Sequence, residues 1–202
     1  MPTYKLMYFN IKGLGESIRW LFAYAGVDFE DQRVSADEWK ALKPTMPFNQ
    51  LPVLEVDGKR VNQSTAICRY LAKQFGLAGK DDWENLEIDA IIDTISDLRT
   101  KIVSAAHERV AEAKAEKLKL AEETTELFIG RLEKIVKANG GHLVGGKITW
   151  ADIIFVATLE IVNPRMGRDI VEKAEGLKAL RHKVQSLPGI KAWLAKRPNT
   201  EH

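Results

Sequence analysis

A chain of 202 residues with 45% hydrophobic and 29% charged content has the makeup of an ordinary globular protein, long enough to bury a sizeable core in one large or two small domains. With 30 Lys and Arg against 28 Asp and Glu the formal charge is only +2, which argues against a nucleic-acid binder with its basic stripe. A single cysteine, Cys68, excludes an internal disulfide and any cysteine-based zinc site; with no signal-peptide h-region in MPTYKLMYFNIKG and no apolar run of membrane-span length, a cytoplasmic location is expected.

In chain order, YKLMYF (4–9) reads as a short apolar strand. GESIRWLFAYAG places Ile18, Leu21, Phe22 and Ala25 at helical spacing and stops at Gly26. FEDQRV (29–34) reads as a second strand. PVLEVDGKRVNQ reads as a hairpin, because Asp57-Gly58 is a favoured tight-turn pair between two β-rich runs. Ser64 is expected to cap the next helix, with Ile67, Cys68, Leu71 and Phe75 on one face.

GLAGKDD (76–82) is the linker, and everything after it reads as helix. Ile88, Ile91, Ile92, Ile95, Leu98 and Ile102 form one stripe; Leu127, Phe128, Leu132, Ile135 and Val136 form another. The run ERVAEAKAEKLKLAEETTE between them reads as the solvated face of a helix or connection. ITWADIIFVATLEIV carries a full start signal, with Thr149 as N-cap, Asp152 as its partner, and Ile148 and Ile153 as the hydrophobic staple. LKALRHKVQSLPGIKAWLAKRP predicts two more short helices, broken at Pro188-Gly189. The expected architecture is an α/β domain in βαβ-ββα order over 1–79, followed by an all-helical domain over 80–202.

Two places in the α/β part bear on binding. Pro52 opens a strand without an amide to give the ladder. A cis Leu51-Pro52 bond would turn Leu51 so that its backbone groups can pair with an extended peptide. The helix start at Gln63-Ser64 presents amides and a positive dipole end, which suits a carboxylate. Each feature alone has an ordinary structural use, since proline opens many strands and a serine cap is worth about 1 kcal/mol. Together they describe a site for a short peptide bearing a carboxylate.

YKLMYFNIKGLGESIRWLFAYAGVDFED, MPFNQLPVLEVDG, NQSTAICRYLAKQFGLAGKD, DAIIDTISDLR, ITWAD and KVQSLPGIKAWLAKRP, in that order over nearly the whole chain, resemble a glutathione S-transferase, within that family the sigma class of the invertebrate kind. The resemblance implies a thioredoxin-like domain plus a helical domain, glutathione as co-substrate, and a homodimer. It selects Tyr8, rather than the equally available Tyr4, as the phenol that donates to the glutathione sulfur. A free thiol titrates near ~8.5, so lowering its pKa by ~2 units needs ~2.7 kcal/mol, within reach of one charge-assisted hydrogen bond helped by nearby positive charge. By the same resemblance Trp39 and Lys43 hold the glycyl end, and Gln50 and Leu51, at the Pro52 corner, meet the middle of the peptide. Gln63 and Ser64 take the γ-glutamyl carboxylate, and Asp97 of the partner subunit reaches the γ-glutamyl amine.

The electrophile site is expected between the domains, with Phe9 on one side. The vertebrate sigma enzymes include a glutathione-dependent prostaglandin D synthase, and this chain departs from it. Leu14 stands where an arginine is expected, Ser104 where a tryptophan is, and Ser96 replaces one aspartate of a cluster that keeps Asp93 and Asp97. These departures tell against prostaglandin isomerisation and thin the oxygen ligands a magnesium ion would need. Conjugation of apolar, lipid-derived electrophiles, with peroxide reduction beside it, is the expected activity. A crystallin-like structural protein or a carrier of apolar ligands is the alternative. Cys68, on an apolar helix face, is expected to be inert. His107, His142, His182 and His202 show no ligand spacing and are expected in surface or capping roles.

Overall fold

The computed structural model describes residues 2–200, which form two compact units, 2–76 with 187–200 and 77–186. The first is built on a four-stranded sheet of order β2-β1-β3-β4, from β1 (Tyr4–Phe9), β2 (Glu30–Val34), β3 (Val53–Val56) and β4 (Lys59–Asn62). β1 runs parallel to β2 and antiparallel to β3, so it is a central strand; buried Tyr4, Leu6, Met7 and Tyr8 make it apolar almost throughout. Asp57 and Gly58 both have positive φ, 48° and 80°, as a tight hairpin turn matched to strand twist demands.

Helix α1 (Gly13–Ala25) begins two residues before the expected Gly15 and ends at Gly26, whose left-handed backbone returns its N–H to Ala23 and Phe22 carbonyls. Helix α2 (Ala36–Leu42) was not expected from the sequence pattern. It buries no residue, but Ser35 and Glu38 close a reciprocal capping box at its start. Two 3-10 turns, Lys43–Thr45 and Pro47–Asn49, carry the chain from α2 to β3. Helix α3 (Ser64–Gln74) buries Ile67, Cys68, Leu71 and Ala72.

In the second unit, helices α4 (Asp82–His107), α5 (Ala111–Ala138), α6 (Trp150–Met166) and α7 (Glu175–Gln185) pack together. Asp152, fully buried, accepts from the Thr149 amide and hydroxyl and from the Leu143 amide, so the start signal read at Thr149 is realised and also ties down the loop before it. Two expectations need correction. The buried face of α5 runs through Ala121, Thr125, Ile129, Leu132 and Val136, whereas Leu127 is exposed, because a 3.6-residue repeat carries it off that face. His142 is buried, its Nε2 3.1 Å from Lys183 Nζ; His107 and His182 are exposed, and His202 lies outside the described residues.

Helix α8 (Pro188–Lys196) belongs to the sheet unit. Pro188 starts this helix as its first residue rather than breaking one, a position where the missing amide costs nothing. Gly189 lets α8 touch α1, since a Cβ there would overlap the Ala23 carbonyl oxygen at 1.8 Å. Among the described residues no helix is long and apolar enough to cross a membrane.

Candidate active site

Tyr8 is next to last in β1, and the chain then leads directly into α1. The amide of Leu14, in the first turn of α1, donates to the Tyr8 hydroxyl oxygen at 3.0 Å. The phenol ring lies against the helix start. A Cβ on Gly13 would stand 2.6 Å from the hydroxyl oxygen, and one on Gly15 would stand 2.5 Å from ring Cδ1. Both positions therefore exclude any side chain, and Gly13 also has φ +42°. The positive end of α1 faces the phenol oxygen, which favours negative charge nearby. An oxygen that accepts from an amide is polarised and becomes a stronger donor through its own proton.

Ring contacts extend from Tyr8 to the next strand end and α2. Phe9 meets Tyr8 edge-on at 5.8 Å, and Trp39 meets Phe9 edge-on at 5.6 Å. Trp39, with Leu42 and Leu51, also packs on a small core of Met7, Met46 and Val53. Lys43 follows, exposed, at the end of α2. Gln50 is exposed and extended. The Leu51-Pro52 bond is cis, and the β3 ladder starts at Val53, so the Leu51 backbone groups take no part in it.

At the α3 start the expectation needs correcting. The cap position is Gln63, at φ 76° and ψ 99°, and Ser64 is the first helical residue; no side chain caps the helix. The left-handed turn at Gln63 leaves the strand one residue earlier than a serine cap would. The Ile67 amide bonds to the Gln63 carbonyl at 3.0 Å, so those of Ser64, Thr65 and Ala66 precede the first intrahelical bond. A non-glycine residue in that region costs about 1–3 kcal/mol and is a mark of functional backbone. Asp97 belongs to the other unit, exposed on α4.

Beneath the phenol lies a buried charged group. Arg19, 0% exposed, sets its guanidinium 5.8 Å from the centre of the Tyr8 ring. It donates to Asp31 at 3.0 Å, Glu16 at 3.2 Å, and the Ile11 and Phe9 carbonyls at 2.8 and 3.4 Å. Glu16 also accepts from Trp20, Trp193 and Arg197. Burial alone raises the pKa of Glu16, but the hydrogen bonds from Trp193 and Arg197 and the charge of Arg19 outweigh it and hold the carboxyl below its ordinary range. Gly13, Gly15, Glu16 and Arg19 are thus site residues that the sequence reading missed. The one available signal was a charged pair three residues apart inside an otherwise apolar helix.

Cys68 is fully buried, and burial pushes its thiol up to about 12, in keeping with an inert packing role. Among the described residues no group of three His, Cys, Asp or Glu could hold a metal ion.

A family model described as the glutathione S-transferase N-terminal domain matches residues 4–73, and one for the C-terminal domain matches residues 96–197. The chain is 48% identical over 202 residues, all of both chains, to a glutathione S-transferase of Anopheles gambiae. It is 48% identical over 200 residues, 98% of this chain and 80% of the other, to glutathione S-transferase S1 of Drosophila melanogaster. Among solved structures, that of prostaglandin synthase D of Nilaparvata lugens superposes with a TM-score of 0.92 at 47% identity, covering 98% of this chain and 100% of that one.

Proposed function

The chain belongs to the glutathione S-transferase family and takes glutathione as co-substrate, and on that premise we propose that Tyr8 keeps the glutathione sulfur ionised for attack on apolar electrophiles. The observation that carries this reading is the Leu14 amide on the Tyr8 hydroxyl at 3.0 Å. With its acceptor side fixed by the helix start, the hydroxyl acts on a ligand as a donor. A donor stabilises a thiolate more than a thiol, so the equilibrium shifts toward the nucleophile. The sulfur lone pair then forms the C–S bond as the electrophile's leaving group departs with its electron pair, or as the π electrons of an activated double bond move onto its acceptor. Peroxide reduction would use the same thiolate on oxygen: the S–O bond forms as the O–O bond breaks and an alkoxide leaves, and a second glutathione converts the sulfenic acid to the disulfide with loss of water.

Trp39 and Lys43 take the glycyl carboxylate, Gln50 and Leu51 at Pro52 pair with the peptide, and Gln63 and Ser64 hold the γ-glutamyl carboxylate. Supporting this are the Leu51 backbone outside the ladder and the open α3 start beside the strained Gln63. The reading includes the sigma class, a cytoplasmic location and a homodimer in which Asp97 of the partner subunit completes the site. Phe48, 85% exposed, is apolar surface that a partner subunit would cover.

Turnover of a chlorinated nitroaromatic with glutathione, compared with Tyr8→Phe, tests the mechanism. The variant is expected to lose about 25-fold in kcat/KM near pH 7, rising toward about 100-fold well below pH 6.5 as ~2 pKa units demand, and to recover as pH rises. An unchanged rate and an unchanged pH profile would refute it. No turnover of any electrophile by the wild-type protein would favour the crystallin-like or carrier reading.

Prostaglandin isomerisation is a second reading, favoured by the name of the Nilaparvata lugens structure. Against it, Leu14 gives Tyr8 a backbone amide and brings no guanidinium beside the sulfur, and Ser104 supplies no indole. A parallel assay with a prostaglandin endoperoxide separates the two.

A further inference from the structure

We propose that Arg19 is a positioning residue of the transfer reaction, its buried guanidinium set over the Tyr8 ring so as to fix the phenol and strengthen its hydrogen bond to the glutathione thiolate. This rests on the Tyr8 reading above. Four observations converge on it.

The guanidinium stands 5.8 Å from the ring centre, inside the ~6 Å reach of a cation–π contact. It is 0% exposed, so neither water nor salt screens it. Its fork donates to the Phe9 and Ile11 carbonyls, which lie within the short link between Tyr8 and the helix start that cradles it. Finally, its countercharges are not its own alone. Among the described residues the charged groups linked to Arg19 include Glu16 on α1, Asp31 and Arg33 on β2, and Arg197 after α8, with Arg33 bonded to Asp31 and Arg197 to Glu16. Each carboxylate that pairs with Arg19 is thus shared with a second arginine.

A cation over the face of a phenol draws electron density from it and makes its O–H a better donor. The gain is larger toward a charged acceptor than toward a neutral thiol, so it lowers the thiol's pKa through Tyr8. A lysine could not reproduce it, since one ammonium cannot bond two carboxylates and two carbonyls in a fixed plane. A merely structural arginine would instead lower activity by the same factor at every pH.

The test is the pH profile of kcat/KM for glutathione and a chlorinated nitroaromatic in Arg19→Met and Asp31→Asn, each also in a Tyr8→Phe background. Arg19→Met is expected to raise the midpoint of the rising limb by about one pH unit, a loss of about tenfold at low pH that fades at high pH. The KM for glutathione should stay within about threefold, as binding of the peptide is not touched. Asp31→Asn, which keeps Arg19 and removes a countercharge, is expected to lower the midpoint. In the Tyr8→Phe background neither substitution should move it.

A pH-independent loss in Arg19→Met, or the same shift with Tyr8 absent, would overturn the proposal. Should Arg19→Met fail to fold, Asp31→Asn decides, and an unmoved or raised midpoint refutes the idea. If Tyr8→Phe alone leaves the wild-type midpoint in place, the Tyr8 reading itself has failed, which the single variant shows separately.

Discussion

Trp193 donates its indole N–H to Glu16 at 2.8 Å, joining α8 to α1 across 177 positions of sequence. Trp20 and Arg197 converge on the same carboxylate oxygen at 3.1 and 2.8 Å. Removing the acceptor strands these donors in a dry site, so Glu16→Ala is expected to destabilise the protein by about 3–5 kcal/mol in urea unfolding at neutral pH. The pH dependence has a definite sign. The folded-state pKa of Glu16 lies below the ordinary 4.5, so its contribution is present above that value and is lost as pH falls through the folded pKa. Glu16→Gln should therefore be less stable at neutral pH and show a shallower loss of stability in acid than wild type.

Gly15→Ala places a methyl carbon 2.5 Å from Tyr8 Cδ1, and the ring must move. A displacement of the donor by about 1 Å is expected to lower kcat by about 10–100-fold, with little change in the KM for glutathione. Steady-state kinetics check this, and in a Tyr8→Phe background the same substitution should cost much less.

Gln63 at φ 76° separates backbone from side-chain effects. Gln63→Ala is expected to raise the KM for glutathione, as the amide contact is lost. Gln63→Gly should raise it similarly yet be more stable than Gln63→Ala by about 1 kcal/mol, because glycine relieves the left-handed conformation. Thermal unfolding alongside kinetics distinguishes them, and equal stability of the two variants would contradict the strain.

Cys68, with its thiol pushed up to about 12 and no solvent access, should not react with an aromatic disulfide reagent in the folded protein. It should react fully in denaturant. Cys68→Ala should leave activity unchanged, which a titration and one rate measurement establish.

The legible parts of the fold are those decided within a few residues. The bounds of β1, the Asp57-Gly58 turn, the Gly26 stop and the Thr149–Asp152 start were all readable, since each depends on local dihedral preference or a neighbouring amide. Helix α2 went unread although Ser35 and Glu38 announced it, because only Trp39 and Leu42 of it pack, partly buried, on the core, too few positions to show an apolar period. On α5 the buried face is filled by Ala121 and Thr125, small or polar residues that do not mark a core position, while the more hydrophobic Leu127 is exposed. In the site, Tyr8 and the peptide-binding residues came from a resemblance, and the physics of a phenol donor made that reading specific. Nothing local marked Gly13 or Gly15, and only the charged pair Glu16 and Arg19 inside an apolar helix pointed to the buried guanidinium.

From the order of residues alone follow the sheet-then-helices architecture, the hairpin, and a strand-end phenol ahead of a helix, because strand period, helix period and turn chemistry are written in neighbouring positions. The tertiary structure alone determined that the helix start rests on that phenol, that a buried guanidinium lies under it, and that the last helix closes on Glu16. Those relations depend on which backbones approach closely enough to exclude a Cβ and on which charges share a dry interior. Both are properties of packing in three dimensions, to which distant parts of the chain contribute together.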